Sequence, residues 1–295
     1  MRTYLQRIIR GRKHIFKKAC EWTAAVYAVA GLVSLFVSFE GIFPQNAKFL
    51  CKLIVGAIIL VGIWFLCAII QSVIVGLMNK KKVVEGPNGK NVFVVYGDLF
   101  DPQIVNNQKR YICFAVNRCY DTEVNDRLIS STTIHGIAFN KLYKLNTYTP
   151  ASLNTAIHSS IHSATLPIVV NRADKPEGNL NRYEVGSYAN LSIDANLNYI
   201  MLGISWINSN LNAQTSKADF VLAIQKMIEA FDNESQGYPV LMPILGTGRS
   251  RAELKEREAL EYIIEAFRIN QNKITSDIYI VIHESAKNRV SIADL

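Results

Sequence analysis

From Leu53 to Met78 the chain runs for 26 residues without a single charge. A helix of that length, rising about 1.5 Å per residue, exceeds the roughly 30 Å hydrocarbon core of a bilayer and can span it with some tilt. A second uncharged stretch, Thr23 to Phe39, precedes it, and Gly41, Pro44, Gln45 and Asn46 lie between the two. So short a link allows only an antiparallel hairpin, with both chain ends on one side. Arg2, Arg7, Arg10, Arg12, Lys13, Lys17 and Lys18 precede the first stretch and Lys80, Lys81 and Lys82 follow the second, whereas the link carries only Lys48 and Lys52. Segments rich in Lys and Arg stay on the cytoplasmic side, so both termini are expected there. A cleaved signal peptide fits the first stretch poorly, because no small-residue A-x-A site follows it.

The formal net charge of +8 invites a nucleic-acid reading, and the position of the charge argues against it. Residues 1–82 hold 12 basic against 2 acidic residues, which leaves 20 against 22 for residues 83–295. A nucleic-acid binder concentrates its basic charge on the folded domain. Here the excess flanks apolar segments, so no nucleic-acid partner is expected. Cys20, Cys51, Cys67, Cys113 and Cys119 form no CxxC pair, which excludes a disulfide framework or a zinc site of the usual spacing.

Beyond a polar linker, Lys82 to Lys90, strand-like runs alternate with helix-like ones. The strands are expected at Val92–Tyr96, Tyr111–Val116, Leu166–Val170, Tyr188–Ile193, Tyr199–Ile204, Val240–Leu245 and Ile278–His283. The helices are expected at Thr132–Tyr143, Ala151–Ser163, Lys217–Asp232 and Arg251–Asn270. That alternation gives an α/β fold, a sheet flanked by helices over residues 83–295, preceded by the α-helical transmembrane hairpin of residues 1–82.

Ligands of such sheets collect at the carboxyl ends of the strands, and three strand-end loops carry suitable chemistry. Asp98, in Gly97-Asp98-Leu99-Phe100-Asp101, can accept a hydrogen bond from an amino group such as that of adenine, or it can simply close an Asx turn. The second loop runs from Ala115-Val116-Asn117 through Asp121-Thr122 to Ser130-Ser131-Thr132-Thr133-Ile134-His135-Gly136, where a Ser/Thr-capped helix start can hold an anion. His135 either orients a ligand there or serves as a structural hydrogen-bonding residue. The third, Pro243 to Arg251, contains Gly246-Thr247-Gly248-Arg249. Its glycines let the backbone approach a diphosphate, and the Ser250/Glu253 capping box starts a helix directly behind them. The segment is neither a P-loop nor a G-x-G-x-x-G fingerprint, and no cofactor is expected. His158 and His162 stand four apart on one expected helix without the Glu of an H-E-x-x-H motif, so no metal is assigned.

In order, G-D-L-F-D after the first strand, A-V-N after the second and L-G-T-G before the last helix resemble a macro domain, the ADP-ribose-binding module. The longer runs A-V-N-R-C-Y-D-T and D-R-L-I-S-S-T-T-I-H-G resemble the divergent macro domain of the two-transmembrane effector of type II Thoeris antiphage systems, over about residues 90–285. The resemblance implies a macro-like mixed sheet in a protein of the bacterial inner membrane. It also implies an ADP-ribose-type ligand, conjugated to histidine in that family and made by a TIR-domain partner, whose binding drives homo-oligomeric assembly and compromises the membrane. By position, Asp98 would receive the adenine amino group, Asn117 and Asp121 would lie beside the distal ribose, and Gly246, Thr247, Gly248 and Arg249 would wrap the phosphates. Leu99, Thr122, His135 and Gly136 complete the implied ligand-binding set. Where hydrolytic macro domains carry a Gly-rich stretch, this chain has Arg118-Cys119-Tyr120-Asp121-Thr122, which implies a sensor rather than an enzyme. The competing class is a membrane-tethered ADP-ribosyl hydrolase or related nucleotide enzyme, which turnover would reveal; a passive anchor would bind no nucleotide at all.

Overall fold

The computed structural model describes residues 2–34, 49–246, 254–283 and 290–295. The chain forms two compact units: residues 1–79 with 291–295, and residues 80–290.

The smaller unit is helical. Helix α1 (Arg2–Arg10) and helix α2 (Arg12–Ser34) precede helix α3 (Phe49–Leu77). Helices α2 and α3 run antiparallel. The Arg7 guanidinium donates to the Gly76 carbonyl (3.0 Å) at one end, and farther along Trp64 Nε1 donates to Cys20 Sγ (3.3 Å) with the Phe16 ring on the Trp64 ring (5.6 Å between centroids). Among the described residues one helix, Leu50–Leu77, is long and apolar enough to cross a membrane. The first expected span reaches Phe39, and its residues 35–39 lie outside those described.

The larger unit is built on a mixed sheet. Its strands in chain order are β1 (Lys80–Glu85), β2 (Asn91–Tyr96), β3 (Arg110–Asn117), β4 (Ile161–His162), β5 (Ile168–Val169), β6 (Asn181–Arg182), β7 (Tyr188–Asp194), β8 (Leu197–Ile207), β9 (Ala213–Gln214), β10 (Val240–Pro243) and β11 (Ile278–Ile282). The main sheet has the order β1-β2-β11-β10-β3-β8-β7-β4, with β9 paired to β8 and β5-β6 a separate ribbon. The central five, β2 to β8 in that order, are parallel, and antiparallel strands close both edges. Parallel strands are buried on both faces, which explains the continuous apolar runs of β10 and β11.

Helices α4 (Ile134–Lys144) and α5 (Pro150–Ser159) bury Ala138, Phe139, Leu142, Leu153 and Ile157 against Ile112, Phe114 and Val116 of β3 and their neighbours. Alternation along the strands turns Tyr111 and Cys113 to the opposite face. Helix α6 (Lys217–Glu234) packs beside β7 and β8 and against helix α7 (Glu256–Ile269), and it buries the stripe Phe220, Ile224, Met227, Ile228 and Phe231 at helical spacing.

Several expected boundaries move. The first part of the expected linker, Lys82 to Glu85, belongs to strand β1, which pairs with β2; the Lys80 ammonium of β1 sits 3.6 Å over the Phe93 ring, a cross-strand contact that a run of lysines does not advertise. Of Leu166–Val170 only Ile168–Val169 is strand, off the main sheet. The second expected helix stops at Ser159, so His162 lies in β4 and not on the helix of His158. The last described helix runs from Glu256, with Glu258 accepting the Lys255 N–H (3.0 Å); the expected Ser250/Glu253 capping box and the helix start at Arg251 lie outside the described residues.

Candidate functional site

The carboxyl ends of β3, β8 and β10 open onto one cavity of about 840 Å³. Its floor holds Asn117, Ser205 and Pro243 from the strand ends; its walls come from residues 126–135 and 210–213, with Gly246 at its rim. A register slip between β3 and β8 at Val116/Asn117 aims the end of β3, and the Arg118 N–H donates to the Ser205 carbonyl (2.7 Å). Asn117 then turns the chain: its Oδ1 accepts the Cys119 N–H (3.1 Å) and its carbonyl accepts the Tyr120 N–H (2.9 Å), with Tyr120 at φ +53°.

Helix α4 starts at the cavity. Thr133 caps it, Oγ1 accepting the Gly136 N–H (3.1 Å). A Cβ at Gly136 would stand 2.2 Å from the Ser130 carbonyl oxygen, so this glycine lets the residue 130 loop close on the helix without itself lining the cavity. His135 does line it. Its ring packs edge-on to Phe139 (4.4 Å), and its Nε2, shut off from solvent, has no hydrogen-bond partner among the described residues. Burial pushes its pKa down to about 3 despite a hydrogen bond with the Asp121 backbone, so the ring is neutral at physiological pH.

Asp121 and Thr122 line a second cavity of about 410 Å³ together with Asn154, Gly178 and Asn179. The Asp121 carboxylate pairs with Lys175 (2.9 Å), each side chain 1% exposed. Lys175 also donates to the carbonyls of Glu177 (2.7 Å) and Asn179 (2.8 Å), and the Asn179 N–H donates to Asp121 Oδ1 (2.6 Å). Burial raises the Asp121 pKa, and the Lys175 charge is the largest influence opposing it. The Thr122 hydroxyl donates to the Pro150 carbonyl (3.0 Å) at the start of α5.

Asp98 and Leu99 line neither cavity. Asp98 is exposed, and its Oδ1 accepts the Phe100 N–H (3.0 Å) in an Asx turn; Leu99 is part of the hydrophobic core. Gly246 adopts φ +80°, and a Cβ there would stand 2.7 Å from the Phe220 ring, so only glycine fits. Thr247, Gly248 and Arg249 lie outside the described residues. The structure thus gathers Asn117, His135 and Gly246 around one cavity and Asp121 and Thr122 around another.

Residues that the sequence did not flag complete both walls. Asn210 and Asn212 reach the first cavity from a turn with Leu211 at φ +59°, and Lys175 underlies the second. Asp174-Lys175-Pro176-Glu177-Gly178 reads as a solvated polar turn, so nothing in it marks a fully buried lysine. His158 and His162 have separate partners: His158 lies 3.1 Å from Asn179 Nδ2, and His162 stacks on Tyr188. No group of His, Cys, Asp or Glu able to hold a metal occurs among the described residues. Burial raises the thiol pKa of Cys119 to about 11 and raises that of Cys113 as well, which leaves both protonated and unreactive.

Two comparisons bear on identity. The family model for the macro domain of Thoeris protein ThsA matches residues 92–283. Thoeris protein ThsA of Bacillus amyloliquefaciens (strain Y2) is 24% identical over 245 residues, covering 82% of this chain and 75% of that protein. The family model covers more than half of the chain and takes in the strand-end cavity, so the chain belongs to the Thoeris ThsA macro-domain family.

Proposed function

We propose that this protein is a membrane-anchored sensor in antiphage defence, which binds an ADP-ribose-type nucleotide in the 840 Å³ cavity and responds by assembling and disrupting the membrane. The observation that carries the reading is the cavity itself. It sits outside the carboxyl ends of parallel strands, where α/β sheets bind ligands, and its size falls within the roughly 300–1,000 Å³ of small-molecule sites. Its walls supply neutral hydrogen-bonding groups, Asn117, Ser130, Thr132, Thr133 and Asn210, together with the Asp126 carboxylate and with Arg127, whose guanidinium is paired with Glu177. That mixture suits ribose hydroxyls and a diphosphate. The capped start of α4 favours an anion, and the Gly246 to Arg249 segment would enclose the phosphates.

Membership of the ThsA family supports a role in Thoeris defence, with a TIR-domain protein as the source of the signal and a histidine-conjugated ADP-ribose as the candidate ligand. Helix α3 supports attachment to the lipid bilayer, with the stretch from Thr23 as the second span and both termini in the cytoplasm. Binding is favoured over turnover because His135, Cys119 and Asp121 are poor catalysts. A histidine with a pKa of about 3 is a weak base at neutral pH, Cys119 is a protonated thiol, and Asp121 is tied to Lys175.

Calorimetric titration of the detergent-solubilised full chain with ADP-ribose and its amino-acid conjugates tests this, with mass spectrometry of the ligand afterwards. Saturable binding with the ligand recovered intact is expected. A folded protein that binds none of these nucleotides would sink the sensor reading, and a cleaved ligand would make the protein a nucleotide hydrolase.

A further inference from the structure

The end of α3 meets α1 at a place where charge and apolar surface coincide. The apolar segment Leu50–Leu77 is about 42 Å long at 1.5 Å per residue, against a hydrocarbon core of about 30 Å. With Lys52 at one interface and α3 close to the bilayer normal, a core that begins near Leu53 ends near Ser72 and Val73 to Leu77 reach the headgroups, whereas tilt would draw this turn towards the hydrocarbon edge. Gly11 packs against this emerging turn, a Cβ there standing 2.7 Å from Val75 Cγ1, and the Arg7 guanidinium holds the Gly76 carbonyl. Arg10, Arg12 and Lys13, which flank Gly11, are therefore level with it. All three are exposed, and none makes an ion pair or hydrogen bond among the described residues. At the same level Ile9, Val73 and Leu77 are 56%, 43% and 67% exposed.

We propose that Arg10, Arg12 and Lys13, with Ile9, Val73 and Leu77, form a binding surface for anionic phospholipids in the leaflet that the end of α3 enters. The proposal rests on the reading of α3 as a membrane span. Cations at the same level as exposed apolar side chains match a lipid headgroup region, whose phosphates take the charge while the glycerol and upper acyl carbons cover the apolar groups. A soluble polyanion or free phosphate would satisfy the three charges and leave Ile9, Val73 and Leu77 in water.

The full chain, in neutral detergent micelles, is titrated with phosphatidylglycerol or phosphatidylcholine carrying brominated acyl chains, and quenching of tryptophan emission is read. The wild type should reach half-quenching at an at least tenfold lower mole fraction of the anionic lipid, since each cation near an anionic surface contributes about fivefold. Arg10→Gln/Arg12→Gln/Lys13→Gln should cut that preference severalfold, and 0.5 M salt should reduce it in the wild type, a check that needs no variant. Equal quenching by the two lipids in the wild type, or an unchanged preference in the variant, overturns the proposal. Full displacement by millimolar inorganic phosphate also overturns it, by making the site one for free phosphate. Release of the wild type from membranes by alkaline carbonate would instead remove the membrane-span reading on which it rests.

Discussion

At the residue scale, the fully buried pair of Asp121 and Lys175 is the most consequential feature that the structure adds. Each charge is compensated by the other and by the carbonyl and N–H groups of residues 177–179, and Asp121 also by a hydrogen bond from the Asn117 side chain. Removing one partner strands a buried charge, so Lys175→Met is expected to cost about 3–5 kcal/mol in urea melts of the full chain. The double variant Lys175→Met/Asp121→Leu should recover only part of that loss, because an apolar pair leaves no ion unpaired but strands the Glu177 and Asn179 carbonyls and the Asn179 N–H. His135 gives a prediction with a definite sign. Its folded pKa of about 3 lies below the ordinary value of about 6.5, so its neutral, buried state carries no protonation penalty above pH 6.5. As pH falls from 6.5 towards 3, the unfolded chain gains a proton that the native ring refuses, and stability drops by up to about 1.4 kcal/mol per pH unit. Between pH 7 and pH 5 the wild type should lose about 2 kcal/mol more than His135→Phe in paired urea melts.

At the element scale, the start of α4 decides the shape of the cavity. Thr133 caps the helix, and Gly136 admits the Ser130 carbonyl where any Cβ would collide with it. Gly136→Ala should therefore push the residue 130 loop outward, at a cost of about 1–3 kcal/mol in stability. Because Ser130, Thr132 and Thr133 wall the cavity, the same change should weaken nucleotide binding in calorimetry while α4 itself persists by circular dichroism. Unchanged affinity would show that this loop does not touch the ligand. The glycine was visible in the sequence, but its reason was not: it answers to a carbonyl six residues earlier that only the folded loop brings near.

At the scale of the whole molecule, the distribution of charge leads to a topology that can be measured. Basic residues cluster before the first uncharged stretch and after the second, so a C-terminal alkaline phosphatase fusion should be inactive and a C-terminal fluorescent-protein fusion bright. An active phosphatase would place the sheet-bearing unit outside the cytoplasm, away from any cytoplasmic nucleotide signal, and would contradict the proposed function.

The uncharged run of α3, the alternation of strands and helices in the larger unit and the strand-end motifs were legible in the chain itself. Each follows from local periodicity or composition, which three to twenty consecutive residues suffice to set. Macro-domain kinship was legible for the same reason, through short runs such as Ala115-Val116-Asn117 that fall at strand ends. Only the tertiary structure decided which motif residues share a cavity. Asn117, His135 and Gly246 converge because β3 and β10 are neighbours in the sheet, whereas Asp121, only four residues past Asn117, is carried into a different wall by the turn at Tyr120. Lys175 could be placed only by the fold. A lysine written among Asp, Pro, Glu and Gly reads as solvated, and its burial depends on a carboxylate 54 residues away with which no local rule pairs it.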